Sequence, residues 1–406
     1  MFKKVFSVFL ASLMVISCCA CSAKSTASAA PVESTTVQEE KPVTIGLICL
    51  HDDNATYDKN FIEGFNAACE STGATGIIMT NKPESNECFD AAADLVDRGC
   101  DIVFADSFGH EPFILQAAKQ FPNVQFAHAT GTMAHTENLP NFHNAFASIY
   151  EGRYLAGVAA GLKLEDMMKK DPSIEPKVGY VGAFTYAEVI SGYTAWFLGV
   201  RSVVPEATME VQFTGSWYDE AMEKEAANTL IGRGCVLLSQ HADSMGAPTA
   251  CETAGVPDVS YNGSLKDACP NTFIVSSRIN WQPYFEYLID CVRKGEPIAT
   301  DWTGNFTTGS VVLTEVNENV AAPETQTVMD GVKAALENGS VKVFDTSKFT
   351  VDGNALTEYM ADVDTDDAYT PDTNVVSDGY FHESEYRSAP YFDLTIDGIT
   401  TLNAMY

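Results

Sequence analysis

Residues 43–65 read VTIGLICLHDDNATYDKNFIEGF. An apolar run ends at Leu50, a polar loop follows, and Phe61 and Phe65 then return at helical spacing. That change from strand-like to helical period is the opening of a βα unit. It repeats. GIIMTN (76–81), DIVFADS (101–107) and VQFAHAT (124–130) alternate with FIEGFNAACES, FDAAADLVDRG and PFILQAAKQF. Strands rich in Val, Ile and Phe between helix-length segments predict a parallel sheet covered on both faces.

The rhythm then restarts. YLAGVAAGLKLEDMMKK (154–170) reads as a long helix before the strand KVGYVGAF (177–184). EVISGYTAWFLGVRSV, TMEVQFTGS (208–216), EAMEKEAANTLIGRG, CVLLSQHA (235–242), a helix near 245–254 and DVSYN (258–262) continue the alternation. The sequence therefore predicts an α/β protein of two parallel-sheet lobes in series.

Its N-terminus has a different character. MFKKVFSVFLASLMVISCCA (1–20) pairs two lysines with an apolar stretch too short to span a membrane, as a signal segment does. Cys18, Cys19 and Cys21 follow, and then a small, polar tether to about residue 42. This arrangement resembles a bacterial lipoprotein, with Cys21 as the expected lipid anchor and Cys18 the alternative. A lipid anchor then provides the membrane attachment, at the extracytoplasmic face.

The net charge of −31 repels nucleic acid and anionic lipid. Eight cysteines lie beyond the tether with no CxxC or zinc spacing, and spacing leaves their pairing open. The seven histidines show no HExxH pair, and neither a GxSxG elbow nor a Walker loop is present. The acidic stretch DVDTDDAYTPDT (362–373) lacks the glycine and glutamate of a calcium loop. No metal, cofactor or catalytic constellation is expected.

In parallel sheets, ligands bind beyond the carboxyl ends of the strands. The loops there hold HDDNATYD, DSFGHEPF, AFTYAE, GSWYDE, QHADSM and NGSLKD. Aromatic residues in polar loops need a partner. Tyr57 and Trp217 come from opposite lobes and could sandwich a planar guest, although both could equally anchor their loops. Polar edges would come from Asn54, Asp58, Asp243, Asn262 and Arg278, and Ser107, Phe108 and His241 stand in the same strand-end loops.

EGRYLAGVAAG (151–161), KVGYVGAF with SGYTAWFLGVRSVVP, and GSWYDEAMEKEAA resemble the BMP (basic membrane protein) family. These are substrate-binding lipoproteins of ABC transporters, some of them purine nucleoside receptors. The resemblance implies the type I periplasmic-binding-protein fold: two doubly wound lobes, a three-strand hinge and a ligand cleft. It implies a first lobe of residues 43–148 and 272–302, with the chain crossing back at TFIVSSRI (272–279). The second lobe would be 149–271 and 303–406. It also implies a monomer that hands a small molecule to ABC permease subunits.

The first loop of the family places a phenylalanine where Tyr57 stands and an asparagine where Asp58 stands, and Trp217 matches its second stacking ring. Asn262 replaces an aspartate that grips ribose in nucleoside receptors, and Arg278 replaces a lysine. An amide offers one acceptor oxygen where a carboxylate offers two, which favours a purine base over a nucleoside. The phrases DSFGH, FAHATG and QHADS are closer to a branch associated with adenine. The competing expectations are an exported nucleoside-processing enzyme using Asp52, Asp53 or Asp58, a receptor of the same fold for a flavin or other planar ligand, and a receptor that signals without import.

Overall fold

The computed structural model describes residues 41–363 and 370–406. The signal segment, the candidate anchors Cys18 and Cys21, and half of the acidic stretch 362–373 lie outside the described residues.

The first lobe begins with β1 (Thr44–Ile48), α1 (Thr56–Thr72), β2 (Thr75–Met79), α2 (Asn86–Asp97) and β3 (Ile102–Ala105). It continues with α3 (Glu111–Gln120), β4 (Gln125–Ala129), the short α4 (Ala134–Glu137) and β5 (Phe142–Ala147). The second lobe carries α5 (Ile149–Lys170), β6 (Lys177–Gly182), α6 (Ala187–Val203), β7 (Thr208–Phe213) and α7 (Glu220–Gly232). β8 (Leu238–His241), α8 (Gly246–Ala254), β9 (Asp258–Tyr261) and β10 (Phe273–Ile279) complete its alternation. Then come α9 (Gln282–Lys294), β11 (Asp301–Gly304), β12 (Val311–Leu313) and α10 (Thr325–Glu337). The extension adds two short paired ribbons, β13 (Met360–Ala361) with β14 (Thr373–Asn374) and β15 (Val376–Ser377) with β16 (Tyr380–Phe381), and finally β17 (Ile399–Thr401).

The strand order is β2-β1-β3-β4-β5-β11 in one sheet and β12-β10-β9-β8-β6-β7-β17 in the other, and only β12 runs antiparallel within them. Each sheet is covered by helices on both faces. This is the periplasmic-binding-protein-like α/β fold expected from the alternation. The helices start where local chemistry permits. Ser85 Oγ accepts the Glu87 amide at the head of α2, and Asp219 accepts the Met222 amide at the head of α7.

Two features differ from the sequence expectation. The alternation does not mark β5 as a strand. It lies between β4 and β11, all six of its residues are buried, and so it shows no alternation. TFIVSSRI also does not cross back. As β10 it stays beside β9 in the second sheet, and the crossing comes just after it at Asn280. Buried central strands look alike whichever sheet they join, so composition could not place it. The return to the first lobe is made by α9. Trp281 stacks on Phe61 at 4.3 Å and Phe285 meets Phe65 edge-on at 5.4 Å. Trp281 is therefore a core residue of the first lobe.

Three chain segments cross between the lobes side by side. The Ser148 amide donates to the Gly304 carbonyl, and the Asn280 amide donates to that of Ser310, each at 2.8 Å. The extension was expected to wrap the second lobe, but it holds both. β17 extends the second sheet beside β7, whereas the Ser388 amide donates to Asp301 Oδ2 of β11 at 2.7 Å. Among the described residues, all eight cysteines are free and no helix is long and apolar enough to cross a membrane.

Candidate functional site

Strand-end loops of both lobes enclose a cavity of about 360 Å³, lined in part by Tyr57, Asp58, Phe108, Glu188, Trp217 and Asp243. Leu50, His51, Ser107, Thr130 and His241 complete the wall.

The first lobe supplies Tyr57 from the first turn of α1. Its hydroxyl donates to the Asp106 carbonyl at 3.0 Å and its ring packs edge-on against Phe61 at 4.9 Å, which fixes the ring plane. Asp58 is buried, and its Oδ1 accepts the His51 amide at 2.7 Å. From the second lobe, Trp217 packs edge-on against Phe184 at 5.1 Å, and its carbonyl accepts the Asp243 amide at 2.9 Å. Both rings are thus braced by neighbouring elements of their own lobes and still line the cavity. Phe108 is 42% exposed, unusual for a phenylalanine, and lies 5.3 Å from Tyr186 of the opposite lobe.

The lobes are closed on one another. The Thr56 amide and hydroxyl both donate to the Asp243 carbonyl, at 3.1 and 3.2 Å. Asn60 Nδ2 donates to Asn262 Oδ1 at 3.0 Å, and Asn262 Nδ2 faces Asp243 Oδ1 at 3.4 Å. Arg278 Nη2 donates to Glu63 Oε2 at 2.6 Å.

Those contacts decide the placing of the sequence candidates. Tyr57, Asp58, Ser107, Phe108, Trp217, His241 and Asp243 come together around the cavity. Asn262 and Arg278 do not line it. Their side chains join the lobes, Asn262 through Asn60 and Arg278 through Glu63. Asn54 is exposed and donates to Asp52 Oδ1 at 2.8 Å, as a turn residue does, instead of facing the cavity.

Glu188 and Thr130 were missed. Glu188 stands in the first turn of α6, at the end of a loop whose aromatics drew attention first. Thr130 follows β4 with φ of +59°, in the left-handed region, and its loop carried no aromatic to mark it.

The cavity is acidic. Asp58, Glu188 and Asp243 line it, with no lysine or arginine among the lining residues. Burial, followed by the charge of Asp58, pushes the Asp243 carboxyl well up. His241 Nε2 lies 3.4 Å from Glu188 Oε1, and burial and then nearby Arg153 push the imidazole down to about 4, so it is neutral at pH 7. Such a wall accepts hydrogen bonds from N–H and O–H groups and repels anions. Beneath it, ligand atoms of Cys49, Asp58 and Asp106 lie within 4.8 Å of one another, the one group among the described residues that could hold a metal. Burial and the charge of Asp58 push the Asp106 carboxyl well up.

Known proteins agree with the fold. A solute-binding protein of an ABC transporter system from Conexibacter woesei superposes with TM-score 0.60 at 22% identity, over 74% of this chain and 98% of that one. One from Aeropyrum pernix gives 0.62 at 15% identity, over 75% and 93%. In sequence, a putative ABC transporter glucose-binding protein of Haloferax volcanii is 33% identical over 237 residues, 58% of this chain and 56% of its own length. A purine-binding protein of Brucella abortus is 29% identical over 227 residues, 56% of this chain and 60% of its own length. The chain thus spans less than two-thirds of either relative. Residues 49–345 match the profile of the Bmp family, described as ABC transporter substrate-binding protein PnrA-like. The chain belongs to this family of proteins that bind a solute rather than transform it.

Proposed function

We propose that this protein captures an adenine-like purine, base or nucleoside, outside the cell and presents it to the permease of an ABC importer. One observation carries the reading. Three aromatic residues, Tyr57, Phe108 and Trp217, share a small closed cavity with three carboxylates and no lining cation. Stacking on an aromatic ring contributes about 1–3 kcal/mol per base and tolerates different bases. The carboxylates then select for N–H donors at the ring edge, which adenine offers at its amino and imidazole nitrogens. The lobe-to-lobe contacts would give the permease a closed form to recognise, with ligand shifting the population towards it. Attachment through Cys21 and action as a monomer complete the proposal.

The name of the Haloferax relative supplies a second reading, a sugar. Carboxylates that accept N–H groups also accept pairs of hydroxyls, so the cavity wall favours it as well. Calorimetric titration with adenine, guanosine, riboflavin and glucose separates these. One-to-one binding of adenine with no heat from glucose is the expected result; glucose binding alone would replace the purine reading. Sustained release of free base from a nucleoside would reveal an enzyme instead.

A further inference from the structure

We propose that Cys49, Asp58 and Asp106 bind a zinc ion beneath the cavity, tying the loops after β1 and β3 to the start of α1. The site is independent of the purine reading and of any solute in the cleft.

The fold brings these residues together from distant chain. β1 and β3 are parallel neighbours paired as far as Ile48 and Ala105, so Cys49 and Asp106 each stand one residue beyond that pair. The Asp106 amide donates to the Ile48 carbonyl at 3.1 Å, which continues the register. Asp58 reaches them from the first turn of α1. One ligand atom from each residue lies within 4.8 Å of the other two, and all three residues are buried. Positions 49, 58 and 106 match no metal motif, so the chain read as a string does not mark them.

The surroundings point to an ion. The Leu50 amide donates to Asp106 Oδ1 at 3.1 Å, and the next amide, that of His51, donates to Asp58 Oδ1 at 2.7 Å. One oxygen of each carboxylate is thus held by backbone, as the supporting bonds of a metal site hold its ligands. Asp106 Oδ2 is buried and has no hydrogen-bond partner among the described residues. A buried polar atom left so calls for an explanation, and an ion supplies one. His51 Nδ1 is likewise buried and without a hydrogen bond, 3.5 Å from Asp58 Oδ2.

The donor set selects the metal. Magnesium and calcium prefer oxygen alone, whereas one thiolate with two carboxylates suits zinc, which takes sulfur, nitrogen and oxygen ligands in a tetrahedral arrangement. The fourth position falls to water or to His51. Burial, followed by the charges of Asp106 and Asp58, pushes the Cys49 thiol well up. Its proton therefore passes to solvent as the sulfur lone pair binds zinc, and uptake strengthens as pH rises.

The test uses the whole chain in detergent, carrying Cys18→Ser, Cys19→Ser and Cys21→Ser so that the N-terminal thiols take no metal. This parent is stripped with a chelator and titrated with Zn²⁺, and with Co²⁺ as the spectroscopic probe. Cys49→Ser and Asp106→Asn are added to it separately, with Cys69→Ser as the control, a thiol of α1 outside the group. The expected result is one zinc per parent chain, a thiolate-to-cobalt charge-transfer band, and a thermal midpoint raised several degrees by zinc. Cys69→Ser should keep all three, Cys49→Ser should lose the band, and Asp106→Asn should bind zinc about tenfold or more weakly. A parent that takes up no zinc, shows no thiolate band or gains no stability from zinc would overturn the site, even where a variant fails to fold. Equal zinc uptake and an equal band in the parent and Cys49→Ser would overturn it as well.

Discussion

Arg278 and Glu63 meet across the cleft, guanidinium to carboxylate at 2.6 Å, one from β10 of the second lobe and the other from α1 of the first. The pair exists only with the lobes closed. Both side chains are partly exposed, at 25% and 46%, so its worth is that of a screened surface pair, about 0.5 kcal/mol. Arg278→Ala should therefore weaken ligand binding only about two- to threefold, with the loss shrinking at high salt. A loss of a hundredfold would mean that Arg278 touches the ligand.

Asn262 should matter more. Its amide is buried, accepts from Asn60 and points its own donor at Asp243. Asn262→Asp removes that donor and sets a second carboxylate beside Asp243. Ligand affinity at pH 7.5 should fall by about tenfold or more, equivalent to roughly 1–3 kcal/mol for an unsatisfied buried group. It should partly recover at pH 5.5, where one carboxyl can take a proton. Stronger nucleoside binding in this variant would instead place ribose at residue 262.

The crossing of α5 and α6 depends on Gly157 and Gly199. A Cβ on Gly157 would sit 2.0 Å from the Trp196 carbonyl oxygen, and one on Gly199 2.1 Å from that of Tyr154. Gly157→Ala should cost about 3 kcal/mol, the upper end for overpacking, and lower the thermal midpoint by several degrees. This close approach explains Gly157 in the EGRYLAGVAAG stretch.

Stability should rise as pH is lowered from 8.5 to 7. Burial pushes the Glu383 carboxyl up to about 8, although Oε1 and Oε2 accept the Tyr391 and Phe392 amides at 2.8 Å. The folded chain then keeps a proton that the unfolded chain loses near 4.5. That contribution is full below 4.5 and is lost as pH climbs through about 8. Glu151 and Glu223, pushed up to about 7 by burial, act in the same direction. Thermal midpoints measured from pH 7 to 8.5, above the range in which the buried histidines His110, His128, His143 and His241 oppose the trend, should fall with rising pH, and Glu383→Gln should flatten the slope. An unchanged slope in that variant would remove Glu383 from the explanation.

The alternation of strand and helix periods made the two lobes legible, because parallel strands and covering helices differ in period whatever their neighbours. Sheet membership was not legible for β5 and β10, whose buried faces carry no polarity and whose partners are set by distant chain. Tyr57, Phe108 and Trp217, which stood out as aromatic residues in polar loops, line the cavity. Asn262 and Arg278 join the lobes instead of lining that cavity. Strand-end position brings a residue to the cleft, but only the closed geometry shows whether its side chain faces the cavity or the opposite lobe. Glu188 and Thr130 lacked an aromatic neighbour or an unusual residue to announce them.

The central claim is that Trp217 and its cavity hold a purine. Calorimetric titration of adenine into wild type, Trp217→Phe and Trp217→Ala tests it most directly. The account predicts one-to-one binding, reduced about tenfold or more in Trp217→Ala and largely restored in Trp217→Phe, as stacking of roughly 1–3 kcal/mol requires. Adenine that fails to bind, or that binds equally to wild type and Trp217→Ala, would contradict it.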